Sequence, residues 1–123
     1  MRHLGCEMRY LIVDDWIDFL ESIKVNSSNT IKSYKSDVVN FLQFVFHRYG
    51  LTPDSISINE INKIDISSIN EDLIKKISAR DIISYLSYSD KYLSNSTATR
   101  SRKLSSMRSF FNYLSKTVGI IQD

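Results

Sequence analysis

The sequence predicts an all-α protein, and three observations favour that fold class. The 123 residues include only three glycines and one proline, so signals for tight turns and hairpins are scarce. Apolar residues recur at spacings of three and four through most of the chain, which is the period of an amphipathic helix. The stretches between these periodic segments are rich in serine and asparagine. We therefore expect long helices joined by polar loops.

Size and composition predict one soluble domain. The chain is 42% hydrophobic and 24% charged, and it has no apolar run of the ~18 residues that span a bilayer. The N-terminus lacks a long apolar stretch, so we expect no signal peptide. The single cysteine, Cys6, has no partner for a disulfide within the chain. These features predict a cytoplasmic protein with no membrane segment.

The first helix is predicted to run from an N-cap at Asp14 or Asp15 to about Lys24. Its inward stripe is predicted to comprise Val13, Trp16, Ile17, Leu20 and Ile23. Its outer face is acidic, and phosphates would repel such a face, so we place it away from any nucleic acid. Residues 1–11 show no clear period and are expected to be a lead-in.

The second helix is predicted from an N-cap at Ser27 or Ser28 to His47 or Arg48, where Gly50 ends it. Its inward residues are predicted to be Ile31, Tyr34, Val38, Phe41, Leu42 and Val45. The far side carries amides, a hydroxyl and a lysine at Asn29, Lys32, Ser36, Asn40, Gln43 and His47, with Lys35 at the edge. Such groups can donate to base edges and phosphates, although Asn and Gln are also common on ordinary helix surfaces.

Residues 52–70 form the least regular segment, because Pro53 interrupts any helix there. Residues 55–58 alternate like a short strand, but no second strand is predicted to pair with them. We interpret the segment as an ordered connector whose isoleucines cover the side of the bundle, namely Ile56, Ile58, Ile61, Ile64 and Ile66. Residues 71–77 are expected to add a helical turn or two. Ser78 then caps a third helix over residues 79–92, with Ile82, Ile83, Tyr85, Leu86 and Tyr92 predicted to face inward.

The last helical stretch, residues 95–119, combines an apolar stripe with a basic, serine-rich face. The stripe is predicted to comprise Leu104, Met107, Phe110, Phe111, Leu114 and Val118. The opposite face carries Ser101, Arg102, Ser105, Ser109, Asn112 and Lys116, flanked by Ser106 and Arg108. No acidic residue lies between Asn95 and Ile121. Small side chains allow close approach and the cations suit a polyanion, as for a helix lying in a major groove.

This stretch also resembles a known family. Residues 99–114 read TRSRKLSSMRSFFNYL, which is similar to the last helix of the core-binding domain of tyrosine recombinases of the phage-integrase and Xer type. Two further segments agree in order: residues 27–31 followed by Tyr34, Asp37 and Phe41, and residues 81–86. The resemblance covers about residues 12–118. It implies a four-helix orthogonal SAM-like bundle, with an irregular connector between helices two and three.

The resemblance implies sequence-selective DNA binding in site-specific recombination and integration. Residues 12–118 would be the core-binding domain, and residues 119–123 would begin a linker to a catalytic domain absent from this chain. The second and fourth helices would face successive grooves of double-stranded DNA, and the full-length parent would act as a tetramer. The expected DNA-binding residues are Lys32, Lys35, Ser36, Asn40, Gln43, Ser101, Arg102, Lys103, Ser105, Arg108 and Ser109. Arginine and lysine would mainly hold phosphates, whereas Asn40, Gln43 and Arg102 are better suited to base edges.

No set of catalytic residues can be assembled from the sequence. The family cuts DNA with a tyrosine assisted by arginine, lysine and histidine, and these groups belong to the separate domain. His47 and Arg48 do not reproduce the family's spacing, and the tyrosines are better explained by packing. We therefore expect no catalytic residue, cofactor, metal or small-molecule ligand in this chain, and no enzymatic activity from it alone.

Two other functions stay open at this point. A stand-alone helical DNA-binding regulator would suit the basic face, although a helix-turn-helix needs shorter helices and a tighter turn. A helical bundle for protein interaction would predict a solvent face of balanced charge.

Overall fold

A computed structural model describes residues 11–23, 27–50, 61, 64, 66, 69, 71–92 and 96–119 of the chain. The helices are α1 (Leu11–Ile23), α2 (Ser28–Arg48), α3 (Glu71–Lys76), α4 (Ala79–Tyr92) and α5 (Thr97–Asn112). A π-helical turn, Tyr113–Val118, continues α5 without a break. Every regular element of the described residues is helical, which confirms the all-α class. The orthogonal SAM-like arrangement stays a prediction.

Serine residues begin the two longest helices, as the sequence predicts for α2. Ser27 accepts a hydrogen bond from the backbone N–H of Thr30, and Ser96 accepts one from that of Thr99. Each bond satisfies one of the free N–H groups that every helix start leaves. The prediction for α1 was wrong in this respect, because the helix already begins at Leu11 and Asp14 lies in its first turn.

The core lies where α1, α2 and α5 meet, and aromatic side chains fill much of it. Trp16 is fully buried, and its ring contacts Phe110 edge-on at 5.2 Å between centroids. Phe41 of α2 contacts Tyr85 of α4 at 5.4 Å, which joins the fourth helix to the same core. Burying such side chains stabilises the fold by about 1.5–3 kcal/mol each, and the aromatic pairs also restrict how the helices can pack.

The described isoleucines of the connector belong to the core, and Ile64 bonds to Gln43 in the C-terminal half of α2. Ile61, Ile64 and Ile66 are buried, as predicted, while Ile56 and Ile58 lie outside the described residues. All six consecutive residues 41–46 of α2 are buried, because Phe41 and Phe44 contact Tyr85 of α4 while Gln43 bonds to Ile64 of the connector. The second helix is therefore amphipathic only in its first half, and that half alone presents a polar strip to solvent.

Three residues predicted to face inward are exposed instead. Ile23, Ile83 and Val118 retain 45%, 64% and 47% of their exposure. Ile23 and Val118 end their helices, where the stripe runs past the neighbouring element, and Ile83 lies on the outer side of α4. The inward prediction for Tyr92 lies outside what the structure describes. None of the described helices is long and apolar enough to cross a bilayer.

The final helix ends at a glycine in the left-handed region. Gly119 has φ 80°, and its N–H donates to the carbonyl of Leu114 at 2.9 Å. That bond closes the π-helical turn, and glycine adopts this conformation at little steric cost.

Candidate nucleic-acid interface

The exposed strips of α2 and α5 meet along the line where these two helices pack. Asp37 of α2 contacts Arg102 of α5, so residues three or four positions from each, on the same helix face, border the same seam. On α2 this neighbour is Asn40, which is half-buried, and Ser36 is exposed next to Asp37 in the chain. On α5 Ser105 is exposed one turn after Arg102. The outer surface that α2 and α5 form together is called the α2/α5 surface below.

Most of the predicted binding residues lie on the α2/α5 surface. Those that are exposed are Lys32, Ser36, Ser101, Arg102, Ser105 and Arg108, and those that are half-buried are Lys35, Asn40 and Ser109. Asn112 and Lys116 extend the surface toward the end of the chain and are exposed as well. Nine of the eleven predicted residues are thus at least partly exposed on α2 and α5, with Lys35 paired to Asp14 of α1. Whether they contact nucleic acid stays a prediction.

Arg102 and Asp37 form a two-bond ion pair across the helix seam. The Nε of Arg102 donates to Oδ2 of Asp37 at 2.9 Å, and its Nη2 donates to Oδ1 at 2.7 Å. Asp37 is buried, and the hydroxyl of Ser106 also contacts its Oδ2 at 3.3 Å. The Arg102 side chain keeps 44% of its exposure. The bond to Asp37 raises the pKa of Arg102 further, so this guanidinium stays charged.

Lys103 lies inside the protein, so its predicted place on the exposed face was wrong. Its side chain is buried, and its Nζ donates to the hydroxyl of Tyr85 at 3.1 Å while lying 5.2 Å from the centroid of that ring. Burial lowers the pKa of Lys103, an effect that the charge of Asp37 opposes. Burial likewise raises the pKa of Tyr85 to about 12. Lys103 joins α5 to α4 and is not available to an outside ligand.

Gln43 is the second predicted residue that the structure removes from the surface. It is buried beneath the connector, and its Nε2 donates to the carbonyl oxygen of Ile64 at 2.9 Å. The amide thus satisfies a backbone group that burial would otherwise leave without a partner. Its predicted exposure was wrong because the cover over α2 comes from a distant part of the sequence.

The α2/α5 surface carries cations that no described residue neutralises. Lys32, Arg108 and Lys116 are exposed and make no ion pair with any residue that the structure describes. Lys35 is paired with Asp14 of α1 at 3.2 Å, but both side chains are more than 40% exposed. Such a surface pair is weak, so Lys35 can exchange Asp14 for another anion at small cost.

Asp37 and Ser106 are structural residues of this site that were not among the predicted DNA-binding residues. Asp37 is the only acid of α2, and Ser106 lies in the middle of α5. A lone acid beside the polar strip of a helix, facing a basic helix in the same chain, is the signal that could have indicated the ion pair.

The charges and polar groups of the α2/α5 surface are suited to a polyanion. Cations at three positions can hold phosphates, while serine hydroxyls and the Asn40 and Asn112 amides can bond to phosphate oxygens or base edges. Among the described residues there is no cluster of three or more side chains that could hold a metal ion.

Curated relatives of this chain are tyrosine recombinases. The chain is 36% identical over 110 residues to the tyrosine recombinase XerC of Caldanaerobacter subterraneus subsp. tengcongensis, covering 89% of this chain. It is 33% identical over 103 residues to a tyrosine recombinase of Thermosipho africanus, and 35% identical over 103 residues to XerD of Oceanobacillus iheyensis. These two matches cover 84% and 83% of this chain. No family model matches the chain, and no solved structure matches it.

These comparisons place this all-α domain among the homologues of the tyrosine recombinases, which confirms the resemblance that the sequence carries. Within that group its relatives include proteins of the Xer type, both XerC and XerD. The chain spans only about 30% of the length of the first of these relatives, which is consistent with an N-terminal domain.

Proposed function

We propose that this chain binds double-stranded DNA as the N-terminal, core-binding half-clamp of a Xer-type tyrosine recombinase. Residues 12–118 would form the binding domain, and residues 119–123 would begin the linker to a catalytic domain. The cutting tyrosine and its assisting residues would be supplied by that separate domain, and the full-length protein would act as a tetramer in site-specific recombination.

The α2/α5 surface is the observation that carries this proposal. It joins two helices through an ion pair between the half-exposed Arg102 and the buried Asp37, and it presents Lys32, Arg108 and Lys116 without partners among the described residues. The rest of it is built largely of short polar side chains. The final helical segment, residues 96–119, contains no acidic residue. Kinship with recombinases supports the same conclusion from independent grounds.

The acidic outer face of α1 supports the choice of surface. Asp15 and Asp18 are exposed, and their charges help to raise the pKa of Tyr113, after the larger effect of burial. Carboxylates on α1 would repel a DNA backbone, so the duplex is expected to approach α2 and α5 from the side away from these acids.

A salt titration with substituted proteins tests the proposal. Arg108→Ala and Lys116→Ala each remove one cation that is expected to neutralise a phosphate. Affinity for any duplex should therefore fall, and the slope of log K against log salt should become shallower by about 0.9 for each phosphate that is no longer neutralised. Fluorescence anisotropy with a labelled duplex, measured from low to physiological salt, reports both quantities.

Arg80→Ala is the matched control, since Arg80 is an exposed arginine on α4 with no ion pair among the described residues. It removes the same charge from a different helix, and should leave the salt slope nearly unchanged. The proposal fails if the wild-type chain binds no duplex at low salt, or if Arg80→Ala weakens binding as much as Arg108→Ala.

A further inference from the structure

The hydrogen-bond geometry of Arg102 leaves one edge of its guanidinium free. A guanidinium has five N–H donors, and Asp37 accepts from Nε and from one hydrogen of Nη2. The remaining donors, two on Nη1 and one on Nη2, have no partner among the described residues. Because the side chain is 44% exposed, this outer edge is accessible from the α2/α5 surface.

Asp37 limits how the guanidinium can move. Two bonds at 2.9 and 2.7 Å fix both the position and the plane of the group, and Asp37 is itself only 2% exposed. An unrestrained surface arginine would lose side-chain rotamer freedom on binding a ligand. Arg102 has already lost that freedom in the folded protein. Its outer edge is therefore preorganised for a ligand with two acceptors in a fixed arrangement.

The small net charge of the Arg102–Asp37 pair indicates which acceptors the outer edge of Arg102 would bind. Asp37 cancels most of the charge of Arg102, so the pair gains little from releasing counterions at a phosphate. The two directional donors of the Nη1/Nη2 edge are retained, and they match the O6 and N7 acceptors of guanine in the major groove. The unpaired Lys32 and Arg108 are better suited to the phosphates.

We infer that Arg102 is a specificity-determining residue that reads a guanine, and that Asp37 is the positioning residue that aims it. The inference rests on the proposed function, since it names what one part of that surface recognises. It assigns to a buried acid a role in choosing sequence and not only in holding two helices together.

The test begins with duplexes that the wild-type chain selects from a random pool. Affinity for the selected duplex is compared with that for a scrambled duplex of the same length and composition. Asp37→Asn keeps the shape but turns one acceptor into a donor, and Arg102→Lys keeps the charge but loses the planar edge. Each should lower the ratio of the two affinities about 5- to 150-fold. Asp37→Asn should also bind the scrambled duplex at least as well as the wild type, because it adds one net positive charge.

Two controls separate this role from a purely structural one. Ser106→Ala removes the hydroxyl contact to Asp37 but leaves both bonds to Arg102, so it should preserve the ratio even if it lowers the melting temperature. Replacing each guanine of the selected duplex with 7-deazaguanine removes its N7 acceptor. At one position this base substitution should lower the affinity of the wild type and leave the affinity of Arg102→Lys unchanged.

The outcomes distinguish the two proposals. If no duplex binds, the proposed function fails and the inference fails with it. If duplexes bind but wild type shows no preference, or Asp37→Asn and Arg102→Lys keep the wild-type ratio, only the inference is overturned. It is also overturned if no 7-deazaguanine position depends on Arg102, which would indicate a phosphate contact. Should Asp37→Asn fail to fold, Arg102→Lys and the base substitutions still decide the matter.

Discussion

The buried carboxylate of Asp81 joins the end of α2 to the start of α4 through a set of hydrogen bonds. Its carboxylate accepts from Nε of Arg48 at 2.8 Å, from the hydroxyl of Tyr49 at 2.6 Å and from the backbone N–H of Ser78 at 2.9 Å. Burial opposes the ionised form, but the bonds from Tyr49, Ser78 and Arg48 outweigh it and lower the pKa of Asp81. The same burial and the neighbouring carboxylate raise the pKa of Tyr49 to about 12.

This cluster predicts an acid-sensitive contribution to stability. Because the pKa of Asp81 is lower in the folded state than its usual 3.8, its contribution is fully present above that value. It is lost as the pH falls from there through the folded-state pKa. Asp81→Asn should therefore lower the free energy of unfolding by about 2 kcal/mol at pH 7 and flatten its decline below pH ~4.

Urea unfolding at pH 7 and at about pH 3 measures both effects. Asp72→Asn is the control, since Asp72 is exposed on α3 and has no ion pair with a described residue. If the free energy of unfolding falls equally steeply at low pH in Asp81→Asn and wild type, Asp81 is not the source of the acid sensitivity.

Some residue-scale features were readable from the sequence and were missed. Lys103 stands four residues before Met107 and seven before Phe110, which places it on the apolar stripe of α5. The basic family pattern favoured an exposed role for Lys103, whereas its helical position indicated burial. The pairing of Arg102 with Asp37 was harder to predict from the sequence, because the two residues are 65 positions apart and pair only once α2 and α5 pack.

At the scale of elements, α5 depends on its serine cap for a defined start. Ser96 accepts from the Thr99 N–H at 3.1 Å, and the first turn has no acidic side chain that could replace that bond. Ser96→Ala should therefore lower the free energy of unfolding by about 1 kcal/mol. Thermal or urea unfolding detects this change.

Ser101→Ala is the matched control, because Ser101 is exposed inside the same helix and alanine is the better helix former. It should leave stability unchanged or raise it by a few tenths of a kcal/mol. If the two substitutions destabilise the protein equally, the cap is not what sets the start of α5.

Helix positions were predictable to within a few residues, whereas the cover over α2 was only partly predictable. Cap serines, a glycine stop and a 3.6-residue period are local signals, and they located α2, α4 and α5. The sequence also predicted that the connector isoleucines would cover the bundle. It did not indicate which side of α2 they would contact, because that depends on tertiary packing between distant parts of the chain. Gln43, which bonds to Ile64, was misplaced for this reason.

At the scale of the whole molecule, charge is segregated between elements. The chain carries a net charge of only +2, yet α1 is acidic and α5 is basic without acids. The two sides of the bundle thus differ in electrostatic character more than the net charge suggests. This separation was readable from the sequence, since it needs only the helix assignments.

A protein-interaction bundle with balanced surface charge and a DNA-binding domain would differ in where a partner can bind. A protein partner would be free to contact α1, the exposed Ile83 of α4 or any other face. DNA would be confined to the basic side, and the confinement would weaken as salt screens the surface charges.

Binding of DNA to the α2/α5 surface is tested by a map of backbone amide shifts on adding duplex DNA to the isotope-labelled chain. We expect the shifts to concentrate at the exposed residues of α2 between 29 and 40 and of the final helical segment between 101 and 116, and to shrink as salt is raised. The acidic face of α1 should change little. Shifts confined to α1 or α4, or no shifts at low salt, would show that the α2/α5 surface does not bind DNA.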